Sequence, residues 1–231
     1  MASRLAEAHI TAQARLRALT VAGVDAVWAS LPAYNEENVD EWLSRVLPLI
    51  AAAQRQSVAL TDAFLARALD RAPLGVDPAD VTGPAARAGV LLEEVYRRPF
   101  VTVWTALAAG TAYAAAVNSG GVRARSTAAM DVQLAMRSTL TEVGKADDRI
   151  EGYQRVANAG ACSFCLAIDG AKVRAANPMP LHNGCGCGVD VLTRPFAPTA
   201  VPPDAVAVHT HGELGPVLGD PAHAFTSEAD L

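Results

Sequence analysis

Large aromatic side chains are scarce in this chain of 231 residues, where Phe, Trp and Tyr together make up 5%. Alanine and valine supply much of the 51% hydrophobic content instead. A core of small aliphatic side chains suits closely packed helices better than a sandwich of aromatic-rich strands. Charged residues make up only 19% of the chain, so a globally disordered protein is excluded.

Lysine is nearly absent, and basic charge ends well before the C-terminus. Only Lys145 and Lys172 are lysine among 19 basic residues, and no Lys or Arg follows Arg194. The net charge of −5 argues against a dedicated DNA-binding protein.

Arg4 and Glu7 stand where a signal peptide would need its apolar run. We therefore expect a reducing compartment, in which disulfides are a less favoured use of cysteine.

Apolar residues recur at helical spacing through the first 145 residues. The pattern predicts helices over 5–31, 35–69, 85–97, 100–117 and 126–143. Pro48 lies inside the second of these and is expected to kink or split it. The prolines and glycines of 70–84 predict a loop. Residues 1–145 are therefore predicted to form an all-α helical body.

The segment 100–117 carries no charge over 18 positions. That length is close to the minimum for a membrane-spanning helix. Seven of the 18 residues are alanine and three are threonine, so the apolarity is weak. We expect a buried helix that packs closely and makes no membrane contact, with a membrane-active segment as the alternative. The residues 118–121, Asn-Ser-Gly-Gly, are expected to end this helix.

The pattern changes from Ile150 onward. Short runs of alternating apolar residues, separated by glycines, predict short strands and tight turns. Residues 146–195 are therefore predicted to form a small α+β module, which is too small to be stable by hydrophobic burial alone. Residues 196–231 are rich in proline and acidic residues and predict an extended or disordered tail. The predicted fold is mainly α, with a helical body, this module and the tail.

Five metal-binding residue types lie close together within the module: Cys162, Cys165, His182, Cys185 and Cys187. Their pattern is C-x2-C, then 16 residues, then H-x2-C-x-C. Zinc prefers four thiolate or imidazole ligands in a tetrahedron. A C-x2-C turn places two thiolates on one side of a tight loop, and a second loop can complete the ligand set. The pattern predicts a structural Zn²⁺ that holds the module together.

The choice of the fourth ligand is open. Cys162, Cys165 and His182 are the three ligands assigned first. Cys185 and Cys187 are two positions apart, and residues i and i+2 of an extended segment are expected to be unable to reach one metal together. We therefore expect only one of Cys185 and Cys187 to bind, with a slight preference for Cys187. Disulfides and inert thiols are the alternatives to a metal. No catalytic residues are predicted, because the H-x-E before P-C-x-x-C of the nucleic-acid deaminases is absent.

Residues 153–192 resemble the C-terminal part of the Mu F-like minor head proteins of tailed bacteriophages. That family typically has a Tyr-x-Arg-Val segment, then C-x2-C, an Asp-Gly turn, and a final His followed by C-x-C. This chain matches the pattern at the following residues: Tyr153, Arg155, Val156, Cys162, Cys165, Asp169, Gly170, His182, Cys185 and Cys187. Asn183 and Gly186 depart from the family, which often has Pro and a basic residue at these places. The missing basic residue weakens any implied DNA binding and leaves the metal pattern intact.

The resemblance implies a structural minor capsid protein without enzymatic activity. Such a protein lies inside the head near the portal and acts in head assembly, genome packaging or ejection. Its implied partners are the portal and major capsid proteins, with non-specific contact to packaged DNA. Its implied location is the virion interior, after assembly in the host cytoplasm.

Two other functions compete with this expectation. The first is a zinc-dependent nucleic-acid-binding protein without enzymatic activity, although the five basic and five acidic residues between Lys145 and Thr193 cancel. The second, less favoured, is a capsid-associated protease or hydrolase, which would need an open position on the zinc.

Overall fold

The computed structural model describes residues 2–177, 179–182, 185–199 and 207–219, and it is mainly helical, as the sequence predicts. The α-helices are α1 Arg4–Ala29, α2 Val39–Ala68, α3 Pro78–Val81, α4 Leu92–Ala108, α5 Tyr113–Ala146 and α6 Ser163–Ala167. Two short 3-10 helices cover Glu36–Asn38 and Gly83–Arg87. Helix α5 contacts α1, α2 and α4 and is the centre of the helical body.

Helix α2 continues through Pro48 and is not split there. Val46 and Ile50, on either side of the proline, are fully buried against the rest of the helical body. Most helical stability in proteins comes from such packing of an apolar face. Burial of both halves therefore offsets the hydrogen bond that proline cannot donate.

The boundary expected at 118–121 is wrong. Helix α4 ends at Ala108, and α5 begins at Tyr113 after a turn in which Gly110 adopts a φ of 83°. Gly120 instead lies inside α5, where an added Cβ would be 2.6 Å from Val103 Cγ2 and 2.7 Å from the Pro99 carbonyl oxygen. This glycine allows α4 and α5 to approach each other and does not end a helix.

The helix expected over 85–97 also begins later, at Leu92. Residues Gly83–Arg87 form a 3-10 helix, and Ala88 then adopts a left-handed conformation with a φ of 50°. That conformation cannot continue a right-handed helix. The chain therefore breaks before α4.

Several aromatic residues of the helical body pack together in one buried cluster. Trp28 packs edge-on against Trp42 and Phe100, with ring centroids 5.3 and 5.2 Å apart. The buried Trp42 indole donates a 2.7 Å hydrogen bond to the Tyr96 carbonyl oxygen.

In the part of the chain that the structure describes, no helix has the length and apolarity needed to cross a membrane.

The module contains a three-stranded antiparallel sheet formed by β1 Gly152–Val156, β2 Lys172–Arg174 and β3 Gly188–Leu192, with β1 in the middle. Tyr153 lies opposite Val173 on one side and Val191 on the other. Helix α6 lies between β1 and β2 in the chain. The short strands and the α+β character agree with the sequence prediction.

A second core joins the module to the helical body. Leu134 and Leu140 of α5 belong to the same buried cluster as Tyr153, Val189 and Cys165 of the module. The Tyr153 hydroxyl donates a 2.6 Å hydrogen bond to the Leu140 carbonyl oxygen. The module is therefore stabilised by burial against α5, in addition to its own small sheet.

Residues 207–219 differ from the extended or disordered tail expected for 196–231. They form an antiparallel hairpin of β4 Ala207–His211 and β5 Gly215–Gly219. Leu214 and Val217 are buried in the second core, at 4% and 1% exposure. Burial of these two apolar side chains contributes to docking the hairpin against the core. The expectation for 200–206 and 220–231 concerns residues outside those the structure describes.

Candidate metal centre

The first two cysteines are positioned by helix α6. Cys162 is the residue before the helix, and its carbonyl oxygen accepts a 3.0 Å hydrogen bond from the Leu166 backbone N–H. Cys165 lies within the first turn and is buried. Residues three apart share a face of a helix. The C-x2-C spacing therefore places both thiols on the same side, as the sequence predicts.

A backbone hydrogen bond links His182 and Cys185. The Cys185 backbone N–H donates a 3.0 Å hydrogen bond to the His182 carbonyl oxygen. The Cys185 carbonyl oxygen in turn accepts a 2.7 Å hydrogen bond from the Gln133 side chain and another from Arg17. Groups on α1 and α5 thus fix this loop against the helical body.

All five predicted residues meet in one cluster, in two overlapping groups. The ligand atoms of Cys162, Cys165 and His182 lie within 4.8 Å of one another, and so do those of Cys165, Cys185 and Cys187. The sulfurs of Cys165 and Cys185 are 3.8 Å apart. Two thiolates bound tetrahedrally at about 2.3 Å from zinc would be about 3.8 Å apart. The cluster can therefore hold a metal ion.

His182 faces the first two cysteines. Its Nε2 lies 3.2 Å from the Cys162 sulfur and 3.0 Å from the Cys165 sulfur. A sulfur and an imidazole nitrogen on a tetrahedral zinc are separated by about 3.6 Å. Metal binding needs these side chains to move apart by only a few tenths of an ångström.

Cys185 and Cys187 do not point to opposite faces, contrary to the expectation from their spacing. Strand β3 begins at Gly188, so the alternation of an extended strand does not apply to residues 185–187. Both sulfurs lie within 4.8 Å of the Cys165 sulfur. Which of the two completes a metal site stays a prediction.

The four cysteines all lie in the described part of the chain, and no disulfide joins any of them there. Even the close pair Cys165 and Cys185, at 3.8 Å, is far beyond the length of about 2.05 Å for a disulfide bond. The thiols are therefore available as metal ligands.

Arg155 is part of the centre, and sequence reasoning assigned it no role. Its side chain is 2% exposed, and its Nη2 lies 3.2 Å from the sulfurs of both Cys165 and Cys185. Its Nη1 donates a 2.7 Å hydrogen bond to the Pro180 carbonyl oxygen. The only signal in the sequence was its place in the Tyr-x-Arg-Val segment.

The cluster favours negative charge on the Cys185 sulfur. Hydrogen bonds from Cys165 and Cys187 lower the pKa of Cys185, and the charge of Arg155 acts in the same direction. Burial by itself lowers the pKa of Arg155, but the negative charges of Cys185 and Cys165 outweigh it and raise that pKa. The hydrogen bond with Cys185 raises the pKa of Cys165 to about 11. A buried arginine beside thiols is thus suited to a centre that contains thiolates.

The donor set consists of residue types that bind transition metals. Within the described residues, both donor groups consist of cysteine and histidine, without a carboxylate. Three thiolates and one neutral imidazole around Zn²⁺ carry a net charge of −1, which the Arg155 guanidinium would neutralise.

Comparison of the chain with protein-family models, with curated proteins and with solved structures finds no match in any of the three.

Proposed function

We propose that this chain is a structural, non-enzymatic minor capsid protein of a tailed bacteriophage, with one structural Zn²⁺ in its module. The observation that carries the proposal is the buried Cys/His cluster with Arg155 against two of its sulfurs. This cluster lies within residues 153–192, the part of the chain that resembles the Mu F-like minor head proteins.

Zinc is the metal that this donor set fits best. Thiolate and imidazole ligands in a four-coordinate site are typical of structural zinc, whereas magnesium and calcium prefer oxygen ligands. Five protein donors are available for four positions. A site that the protein can fill completely leaves no position for a reactive water, which favours a structural role over a hydrolytic one.

Cys162, Cys165, His182 and Cys185 form the ligand set that we propose. Cys185 interacts with both Cys165 and His182, and so connects the two donor groups. Cys187 interacts with Cys165, Cys185 and the backbone of Asn158. This replaces the slight preference for Cys187 that the sequence suggested.

The arginines around the centre support an assembly role more than nucleic-acid binding. Arg155 faces two sulfurs, Arg17 donates to the Cys185 carbonyl oxygen, and Arg149 pairs with Asp147. A nucleic-acid-binding module would direct such side chains towards phosphates. We therefore propose the portal and major capsid proteins as partners inside the virion, with DNA as a non-specific contact only.

The test of the capsid role is detection of the chain in purified virions and in precursor heads made from the genome that encodes it. We expect the chain to be present in few copies in both kinds of particle, and to be released from them together with the portal protein. Absence from both particles would overturn the capsid role.

The test of the metal centre is native mass spectrometry of the purified chain with and without chelator. We expect one zinc per chain, lost on chelation. A chain purified under reducing conditions that takes up no zinc would overturn the metal centre while leaving the capsid role to be decided by the particles.

A further inference from the structure

The turn of the β4–β5 hairpin is inserted among arginines of the helical body. The Glu213 carboxylate, 8% exposed, pairs with Arg87 and lies 2.8 Å from Arg98 Nη1. Arg137 of α5 donates a hydrogen bond to the Leu214 carbonyl oxygen. These contacts join the hairpin to the helical body.

The other side of the hairpin contacts the segment that carries the histidine of the metal centre. Val217 forms a parallel β-bridge with Leu181, and both side chains are fully buried. His182 is the next residue in the chain. On the other side of Leu181, the carbonyl oxygen of Pro180 accepts the hydrogen bond from Arg155 of the metal centre. Residues 180–182 therefore contact the hairpin and the metal centre at the same time.

A hairpin of two five-residue strands is at best marginally stable by itself. Its order must come from the two sets of contacts just described. One set, at Glu213 and Leu214, is independent of the metal. The other, at Leu181, depends on how firmly His182 and its neighbours are held.

We propose that metal binding and docking of the hairpin are coupled through residues 180–182, an inference that rests on the proposed metal centre. A metal ligated by His182 fixes Leu181 in the position that Val217 pairs with. Loss of the metal frees this segment, and the hairpin then detaches more often while the helical body stays folded. Detachment separates Glu213 from Arg98 of α4 and from Arg87, which keeps its pairing with Asp131.

The coupling must act in both directions. If the metal stabilises the docked hairpin by a given factor, the docked hairpin strengthens metal binding by the same factor. Allosteric couplings are commonly about 5- to 150-fold. A contact through one buried β-bridge and one hydrogen-bonded segment should fall towards the lower end of this range.

The first measurement is hydrogen–deuterium exchange of the full chain, with zinc bound and after chelation. Peptides over 207–219 report the hairpin, and peptides over 50–58 in the buried part of α2 report global unfolding. We expect amide exchange in the hairpin to be about fivefold or more faster without zinc. Exchange in α2 should not change.

The second measurement is the zinc affinity of Glu213→Gln, by competition with a chromophoric chelator. This variant removes the charge that holds the turn and leaves all metal ligands in place. We expect its affinity to fall by about the factor by which zinc slows hairpin exchange. Glu142→Gln is the matched control, because it makes the same change in charge at an exposed residue that pairs with Lys145. Arg98→Gln is a milder variant of the same contact, since Arg98 is partly exposed.

Three results would overturn the coupling. The first is zinc binding with hairpin exchange equal in both states, and the second is an unchanged zinc affinity in both Glu213→Gln and Arg98→Gln. Both leave the metal centre intact. The third is equal acceleration in α2, which would mean that zinc holds the whole chain together. Absence of zinc binding in the wild type would instead overturn the metal centre itself.

Discussion

Replacing Arg155 with methionine should weaken zinc binding while the helical body stays folded. Methionine is unbranched, flexible and apolar, so it fills the space of the aliphatic part of the buried side chain without its charge. The change removes the cation 3.2 Å from the sulfurs of Cys165 and Cys185 and the donor 2.7 Å from the Pro180 carbonyl oxygen.

The size of the effect follows from these contacts. Loss of groups that hydrogen-bond to metal ligands typically costs about 10- to 100-fold in metal affinity. This corresponds to about 1.4–2.7 kcal/mol. Removing one partner of a buried charge pair costs about 3–5 kcal/mol. Because Arg155 is almost fully buried and contacts two sulfurs, we expect the upper end, near 100-fold.

The assay is competition for zinc with a chelator of known affinity, supported by the sulfur-to-metal absorption of the cobalt-substituted protein. Arg149→Met is the matched control, because it makes the same change in net charge. The Arg149 side chain is half-exposed and pairs with Asp147, so its loss should leave zinc affinity within about twofold. An Arg155→Met protein that binds zinc as tightly as the wild type would refute the idea that the arginine balances thiolate charge.

Three further predictions concern the ligands, the helix packing and the response to acid. Cys185→Ser should lower zinc affinity by several orders of magnitude, and Cys187→Ser should lower it by no more than about tenfold. Both affinities are measured by chelator competition. A larger loss of affinity in Cys187→Ser than in Cys185→Ser would make Cys187 the fourth ligand. Gly120→Ala should destabilise the protein by about 1–3 kcal/mol, because the new methyl meets a backbone carbonyl at 2.7 Å; Gly160→Ala, with no atom within 4 Å of the added Cβ, is the control in urea unfolding. Burial lowers the pKa of His9 to about 4, so as the pH falls the imidazole is protonated in the unfolded chain before it is protonated in the folded chain. The stability that depends on a neutral His9 is therefore fully present above pH 6.5, and about 3 kcal/mol of it is lost by about pH 4. His9→Phe should flatten the pH dependence of the free energy of unfolding in this window, and an unchanged slope would contradict the prediction.

The sequence predicted those features that depend on local spacing. Apolar residues at helical intervals gave the long helices, and the C-x2-C pattern placed Cys162 and Cys165 on one side of α6. Alternating residues around Tyr153 and Val191 gave the strands of the module. In each case the interacting residues are close in the chain, so their geometry follows from the period of the element.

Features that depend on distant residues could not be predicted in this way. Gly120 is a helix-ending residue by its type, and only the approach of Val103 and Pro99 from α4 explains its place inside α5. Arg155 belongs to the metal centre because the sheet carries it to the sulfurs. The hairpin at 207–219 depends on Leu214 and on arginines more than a hundred positions earlier.

The shared second core has a consequence for synthesis on the ribosome. The part contributed by α2 and α5, including Leu65 and Leu134, is complete long before the residues that cover it, such as Val189 and Val217, have been made. The growing chain must therefore pass through a stage in which this apolar surface is open to water and to other chains. Only the last third of the protein closes it, so nascent chains truncated before the module should aggregate or recruit a chaperone.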